Sequence, residues 1–291
     1  MSRVDLLLEQ QRASNASGVT HFEAFRTHRA RTSRLIADAA AAPEPTLCVL
    51  GAGNAYDLEL EALLGTFSRV HLVDIDVAAV ERARARVPEA LSARLFTHAP
   101  LDLSGMFHDL ERWARMQVTP RELMAAPATG TRRIADSLPG PFDVVVSSCL
   151  LTQLQLSLLN LLGDHHQLFA ALRELLTLTH LRTLAALTKP DGRALLVTDL
   201  CEASAFPPGR PRGDDDLAAL MAELVAAGHV IHSSHPQLIR LTLAHDPLLS
   251  RAFAPAEQSA PWLWHNGPER RFLVYGLTLP RKPLPAPTSD K

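Results

Sequence analysis

The chain has 291 residues, 47% of them hydrophobic, with 29 lysines and arginines against 31 aspartates and glutamates and a formal charge of −2. That length buries a substantial core and suits one α/β domain with additions, while the near-neutral charge lacks the basic footprint that DNA or RNA binding needs. Cys48, Cys149 and Cys201 are widely spaced without a Cys-x-x-Cys pair, and no signal peptide or long uncharged apolar stretch opens the chain, so structural zinc, a disulfide framework and a membrane partner are not expected and a cytoplasmic location is.

Residues 1 to 42 predict two helices, one with Val4, Leu7, Leu8 and Gln11 on a stripe, the other aligning Phe22, Phe25 and Arg29. The run Leu47-Cys48-Val49-Leu50 has the length and branched content of a buried parallel strand, and it feeds the turn Gly51-Ala52-Gly53-Asn54. A helix is predicted from Asp57 to Leu64, ended by Gly65. Strand, glycine turn and helix together can grip a ligand, because glycine reaches left-handed or crowded conformations and the helix N-terminus faces a polar group. A dinucleotide fingerprint would need a third glycine where Tyr56 stands, and no Gly-Lys-Ser/Thr ending makes a P-loop.

A second strand, Arg69 to Val73, ends at Asp74, about 20 residues past the glycines, where doubly wound folds place the acid for a ribose hydroxyl. Asp76 is the rival for that role and also a plausible cap for a helix marked by Val77, Val80 and Val87 and stopped by Pro88. A short third strand over Ala93 to Thr97 precedes Asp102, and residues 103 to 141, with Trp113, predict a helical insertion. The fourth strand, Phe142 to Ser147, enters through Pro139-Gly140-Pro141 and delivers Ser148, Cys149 and Leu150 to the carboxyl ends of the strands, where open α/β sheets bind ligands.

Leu150 to Leu187 reads as two packed helices, followed by the turn Lys189-Pro190-Asp191-Gly192 and a fifth strand, Arg193 to Leu200. A helix over Leu217 to Val225 ends at Gly228, and residues 229 to 233 read as a short sixth strand. The connection 234 to 270 has the length of a lid and a helix starting at His235-Pro236; Arg271 to Leu279 is the last strand.

In order, the strings GAGNAYDLEL, HLVDIDVAAVERAR, FDVV and the turn at Lys189 to Gly192 resemble the motifs of class I S-adenosylmethionine-dependent methyltransferases. Asp191-Gly192 departs from the family's Pro-Gly-Gly turn. The resemblance spans about half the chain and identifies a superfamily, not a substrate. It implies a doubly wound, mostly parallel, seven-stranded Rossmann-like α/β sheet in the order 3-2-1-4-5-7-6, the seventh strand antiparallel, with N-terminal helices and helical insertions. Residues 1 to 42 would be a helical cap, and 43 to 291 the cofactor domain with insertions at about 103–141 and 234–270.

The implied cofactor is S-adenosylmethionine. Gly51, Ala52, Gly53, Asn54 and Asp57 would lie along its methionine part, Asp74 on the ribose diol, Ile75 on adenine and Asp102 on the adenine amino group, with Ser148 and Cys149 beside it. Asp102 reads equally as a capping residue. Methyl transfer requires alignment more than covalent help, and where a proton must leave, His165, His166, His265 and Asp199 are available as bases. His21, Phe22, Phe25, Trp262 and Trp264 are candidates for a substrate pocket or for packing alone. No metal-ligating constellation is evident. The expected activity is methylation of an oxygen, nitrogen or sulfur of a small molecule or short peptide. A non-catalytic binder of S-adenosylmethionine or S-adenosylhomocysteine is the alternative, and Tyr56 disfavours a nicotinamide-dependent oxidoreductase.

Overall fold

The computed structural model describes residues 3–113, 118–206, 214–267 and 270–284. Helix α1 (Arg3–Ser17) passes through a 3-10 segment, Gly18–Phe25, into α2 (Arg26–Asp38). The side chains of Val4, Leu7 and His21 lie outside the described residues. Strand β1 (Thr46–Leu50) is central because Leu47 to Leu50 have no exposed surface and both neighbours hydrogen-bond to it in parallel. After α3 (Leu60–Thr66) come β2 (Arg69–Val73), α4 (Val77–Ala85), the single turn α5 (Glu89–Ser92) and β3 (Leu95–His98). Asp76 caps α4 by accepting from Ala78 N at 3.0 Å, whereas Val87 lies just beyond that helix.

Between β3 and β4 (Phe142–Ser148) stand α6 (Phe107–Trp113) and α7 (Pro120–Asp136). The latter starts with a full capping box between Thr119 and Glu122 and with Pro120 in the first turn, where its missing N–H costs nothing. Helices α8 (Leu150–Leu162) and α9 (Phe169–Leu187) follow as a packed pair. Strand β5 runs from Thr188 to Glu202 and absorbs the expected turn at residues 189–192 as an irregularity, with Asp191 left-handed and a register shift opposite Phe142 and Val144. Then come α10 (Asp214–Ala226), α11 (Pro236–His245), α12 (Pro247–Ala252), β6 (Glu257–Gln258), β7 (Trp262–His265) and β8 (Arg271–Pro280).

The sheet order is β3-β2-β1-β4-β5-β8-β6, with β7 also paired to β8; β1 to β5 are parallel and β8 is antiparallel to β5. This is the expected order carried by eight strands instead of seven. Residues 229 to 233 are not a strand. Ile231 N donates once to Leu200 O, at 2.8 Å, and the chain then coils into a 3-10 turn, His232–Ser234, so the sixth position falls to β6. The segment 234–270 is not a free lid either: α11, α12, β6 and β7 take up most of it.

Alternation along the strands divides the core between two faces. Cys48, Leu50, Val145 and Leu196 pack under α6 to α10, and Leu47, Val49, Val144, Val146, Leu195 and Val197 under α2 to α4. Among the described residues no helix is long and apolar enough to cross a membrane. Tyr275 of β8 is wholly buried and donates its hydroxyl to Ser234 O at 2.6 Å, fastening the 3-10 turn to the sheet. Tyr275→Phe strands that carbonyl and is expected to lower unfolding free energy by about 1–3 kcal/mol, read from urea denaturation.

Candidate functional site

The turn after β1 is a sequence of left-handed residues: Gly51 at φ +74°, Gly53 at +48° and Ala55 at +49°. A Cβ at Gly51 would come within 2.8 Å of Leu150 Cβ, so only glycine passes there. Gly51 N and Ala52 N both donate to Val73 O, at 2.9 and 3.1 Å, which draws the turn across the end of β2. Arg86 donates to Asn54 O at 2.7 Å and Ala55 O at 2.9 Å, and Arg29 to Tyr56 O at 3.1 Å. The irregular backbone continues to Glu59, whose N–H donates to Ser33 Oγ at 2.8 Å, and α3 begins only at Leu60. The helix expected from Asp57 therefore starts three residues later and ends two later, leaving Asp57 in the turn and Gly65 inside the last helical turn.

Four acids stand at or after the carboxyl ends of the parallel strands. Asp74, at the end of β2, accepts from Gly53 N at 2.8 Å and Asp76 N at 2.9 Å, and burial pushes its pKa up. It anchors the glycine turn and leaves lone pairs for a further donor. Asp57 accepts from the Ser148 hydroxyl; burial raises its pKa to about 6, against the opposing pull of that bond and of Arg86 and Arg29. Asp199, buried at the end of β5, accepts from Thr152 Oγ1 at 2.5 Å and is likewise raised by burial. Asp102 accepts from Ser104 N, Ser104 Oγ and Phe107 N at 2.5–2.9 Å, which makes it the organiser of the entry to α6.

Two cavities adjoin at the carboxyl ends of the parallel strands. A slot of about 40 Å³ lies between Asp74, Ile75, Leu101, Phe107 and Leu150, roofed by Leu8 and Gln11 of α1. A pocket of about 620 Å³ is reached beside Cys149, Thr152 and Asp199 and is walled by Trp264 and Phe272. Gln11, Gln153 and Ser157 line both. The slot combines a carboxylate with apolar walls, which suits a nucleoside, but it is far smaller than the roughly 300–1,000 Å³ of small-molecule sites. Asn15 of α1 explains this: it donates to Asp76 Oδ2 at 3.0 Å, accepts at its carbonyl from Asn54 Nδ2 at 2.6 Å, and holds the helix down on the turn.

Other sequence candidates lie elsewhere. Asp102 lines neither cavity. The amide of Asn54 is occupied by Asn15 and Arg82. His265 is exposed, because alternation along β7 turns Trp264 inward and its neighbour out. Trp262 is an anchor, donating to buried His28 Nδ1 at 3.0 Å. Phe25 packs edge-on against Trp264 and Phe22 against Tyr56, both at 5.3 Å, so neither lines a cavity. His165 and His166 are likewise outside the lining. Thr152, Gln155, Arg29 and Arg86 were not singled out for the site; only the three-residue spacing of Thr152 after Cys149, on a predicted helix, could have pointed to one of them.

No protein-family model matches the sequence, and no curated protein has significant sequence similarity to it. Solved structures that it resembles include an rRNA methylase from Streptococcus thermophilus, 10% identical over 87% of this chain and 95% of that one, at a TM-score of 0.42. The N-methyltransferase NodS from Bradyrhizobium japonicum is 14% identical over 90% and 97%, at 0.40. A geranyl diphosphate methyltransferase in complex with SAM is 11% identical over 86% and 84%, at 0.41. The strand order, with an antiparallel strand inserted beside β5, resembles that of the Rossmann-like methyltransferase fold. The fold is a Rossmann-like α/β sheet.

Asp57 carries a pH dependence. A carboxyl raised from 3.8 to about 6 holds its proton more tightly in the folded than in the unfolded chain, so its contribution to stability declines as pH rises through that interval. Between pH 4 and 6.5, Asp57→Asn should gain stability relative to wild type by up to roughly 3 kcal/mol, read by denaturation at each pH.

Proposed function

We propose that the protein transfers a methyl group from S-adenosylmethionine to an oxygen, nitrogen or sulfur of a small molecule or short peptide. The observation that carries this reading is the adjoining pair of cavities: a slot with apolar walls and the Asp74 carboxylate, narrowed by α1, and a larger pocket containing a second carboxylate, Asp199. Donor and acceptor would meet where the two share their walls, which is the alignment that methyl transfer needs.

In this reading the Asp74 carboxylate takes the ribose diol, Ile75 and Leu101 flank the adenine, and the turn from Gly51 to Gly53 with Asp57 faces the methionine end. Asp57 ionises when a cationic amino group is beside it. When bound, S-adenosylmethionine supplies an electrophilic methyl group on a sulfonium. Asp199 serves the acceptor: a carboxyl whose pKa is raised by burial is a better proton acceptor than an exposed one, and the Thr152 hydroxyl steadies it after ionisation. Trp264 and Phe272 keep bulk water from the acceptor.

Calorimetric titration tests the cofactor. Micromolar binding of S-adenosylmethionine and S-adenosylhomocysteine, with none of NADH, is expected; the opposite pattern overturns the reading. Asp74→Ala should weaken both adenosyl ligands by about 10- to 100-fold. Asp199→Asn should leave their affinity within about twofold and lower turnover of an accepted substrate by about 100-fold or more. Cofactor binding without transfer to any acceptor would instead identify a binding protein.

A further inference from the structure

We propose that the larger pocket recognises an uncharged acceptor bearing a carboxamide or peptide group, which hydrogen-bonds Gln155 and Ser233 while the reacting atom lies near Asp199. The placement of the reacting atom rests on the methyl-transfer reading; the recognition of the amide does not.

Thr152 and Gln155 stand three residues apart on one face of α8, about 4.5 Å along its axis, and both line the pocket. Thr152 marks the reacting end through its bond to Asp199. At Gln155, Nε2 donates to Arg173 O at 3.1 Å and to Thr177 Oγ1 at 3.0 Å, and the Thr177 hydroxyl itself donates to Arg173 O. This fixes the orientation of the carboxamide, and Oε1 is left buried without a donor. Ser233, 4% exposed and lining the same pocket, also has a hydroxyl without a partner. A buried orphan is costly, and two among the residues that line one pocket are what a ligand's own donor and acceptor would satisfy. A single planar amide supplies both the N–H that Oε1 lacks and the oxygen that a serine hydroxyl can reach.

Charge disfavours the anionic alternatives. Arg173 is paired with Glu174 at 3.3 Å, Arg270 with Glu202 at 3.2 Å, and His232 with Glu174 at 2.8 Å. Each cation of the lining already faces a carboxylate, and Asp199 adds acid, so a phosphate or carboxylate would enter without a free counter-charge. Trp264, Phe272 and Phe169 give the body of the ligand an aromatic wall.

The full-length protein, with and without saturating S-adenosylhomocysteine, is titrated with 3-phenylpropanamide, its methyl ester, its carboxylate, phenethyl phosphate, and the blocked tripeptide N-acetyl-Ala-Phe-Ala-amide. The amides should bind at least tenfold more tightly than the ester, carboxylate and phosphate. Gln155→Leu and Ser233→Ala should each weaken the amides by about tenfold and leave the ester and S-adenosylhomocysteine unaffected. A tripeptide tighter than the simple amide identifies a peptide source; parity identifies a small molecule, and both support the proposal. Amide and ester binding alike, an anion binding best, or no effect of either substitution overturns it. Failure of S-adenosylhomocysteine to bind overturns the methyl-transfer reading alone, because the amide series is also read without it.

Discussion

Three consecutive carbonyls, at Asn54, Ala55 and Tyr56, emerge from an irregular turn in which Leu58 N reaches Ala55 O only at 3.4 Å, and the guanidinium groups of Arg86 and Arg29 supply their shorter bonds. Hydrogen bonds to charged donors contribute about 1.5–3 kcal/mol each, enough to hold a left-handed alanine that costs about 1–3 kcal/mol. Both arginines are doubly committed. Arg29 also meets Glu59 and Phe22 O, while Arg86 lies 4.6 Å over the Tyr56 ring. With the turn fixed from behind and Asp74 gripping Gly53 N in front, the late start of α3 and the position of Asp57 follow.

The second junction of the site is sharper. Cys149, at φ +47°, converts β4 into α8 within one residue. Its thiol is buried and shifted upward by that burial, so this cysteine shapes the chain instead of reacting. Because the helix starts at the very edge of the sheet, its first turn presents Leu150 to Gly51 and Thr152 to Asp199. The two cavities therefore share one helix as their common wall.

The parallel centre of the sheet was legible because its strands are buried on both faces and read as unbroken apolar runs; Leu47 to Leu50 and Val144 to Val146 have no other good interpretation. Asp76 was legible as a cap because capping is local chemistry. Asp57 was misread as helical because the pattern of leucines after it is helical, and the capture of the Glu59 N–H by Ser33, 26 residues earlier, leaves no local trace. The strand expected at residues 229–233 failed for a similar reason, since pairing depends on which segment reaches the sheet edge. Residue type alone could not separate Trp264, which lines the pocket, from Trp262, which is tied to His28, or place His265 on the outer face. Asp102 was offered by the resemblance as a ligand residue and equally as a cap, and its own loop consumes it.

Helix α1 touches both cavities, with Leu8 and Gln11 over the slot and Gln10 and Gln11 over the pocket. Its ties to the site include the uncharged bond from Gln11 to Gln153 at 3.2 Å and the Asn15 bonds at its far end. Such contacts contribute on the order of 1 kcal/mol each. Helix α1 thus borders both rooms. On the methyl-transfer reading, the spent donor and the finished product would each leave past this one 15-residue helix.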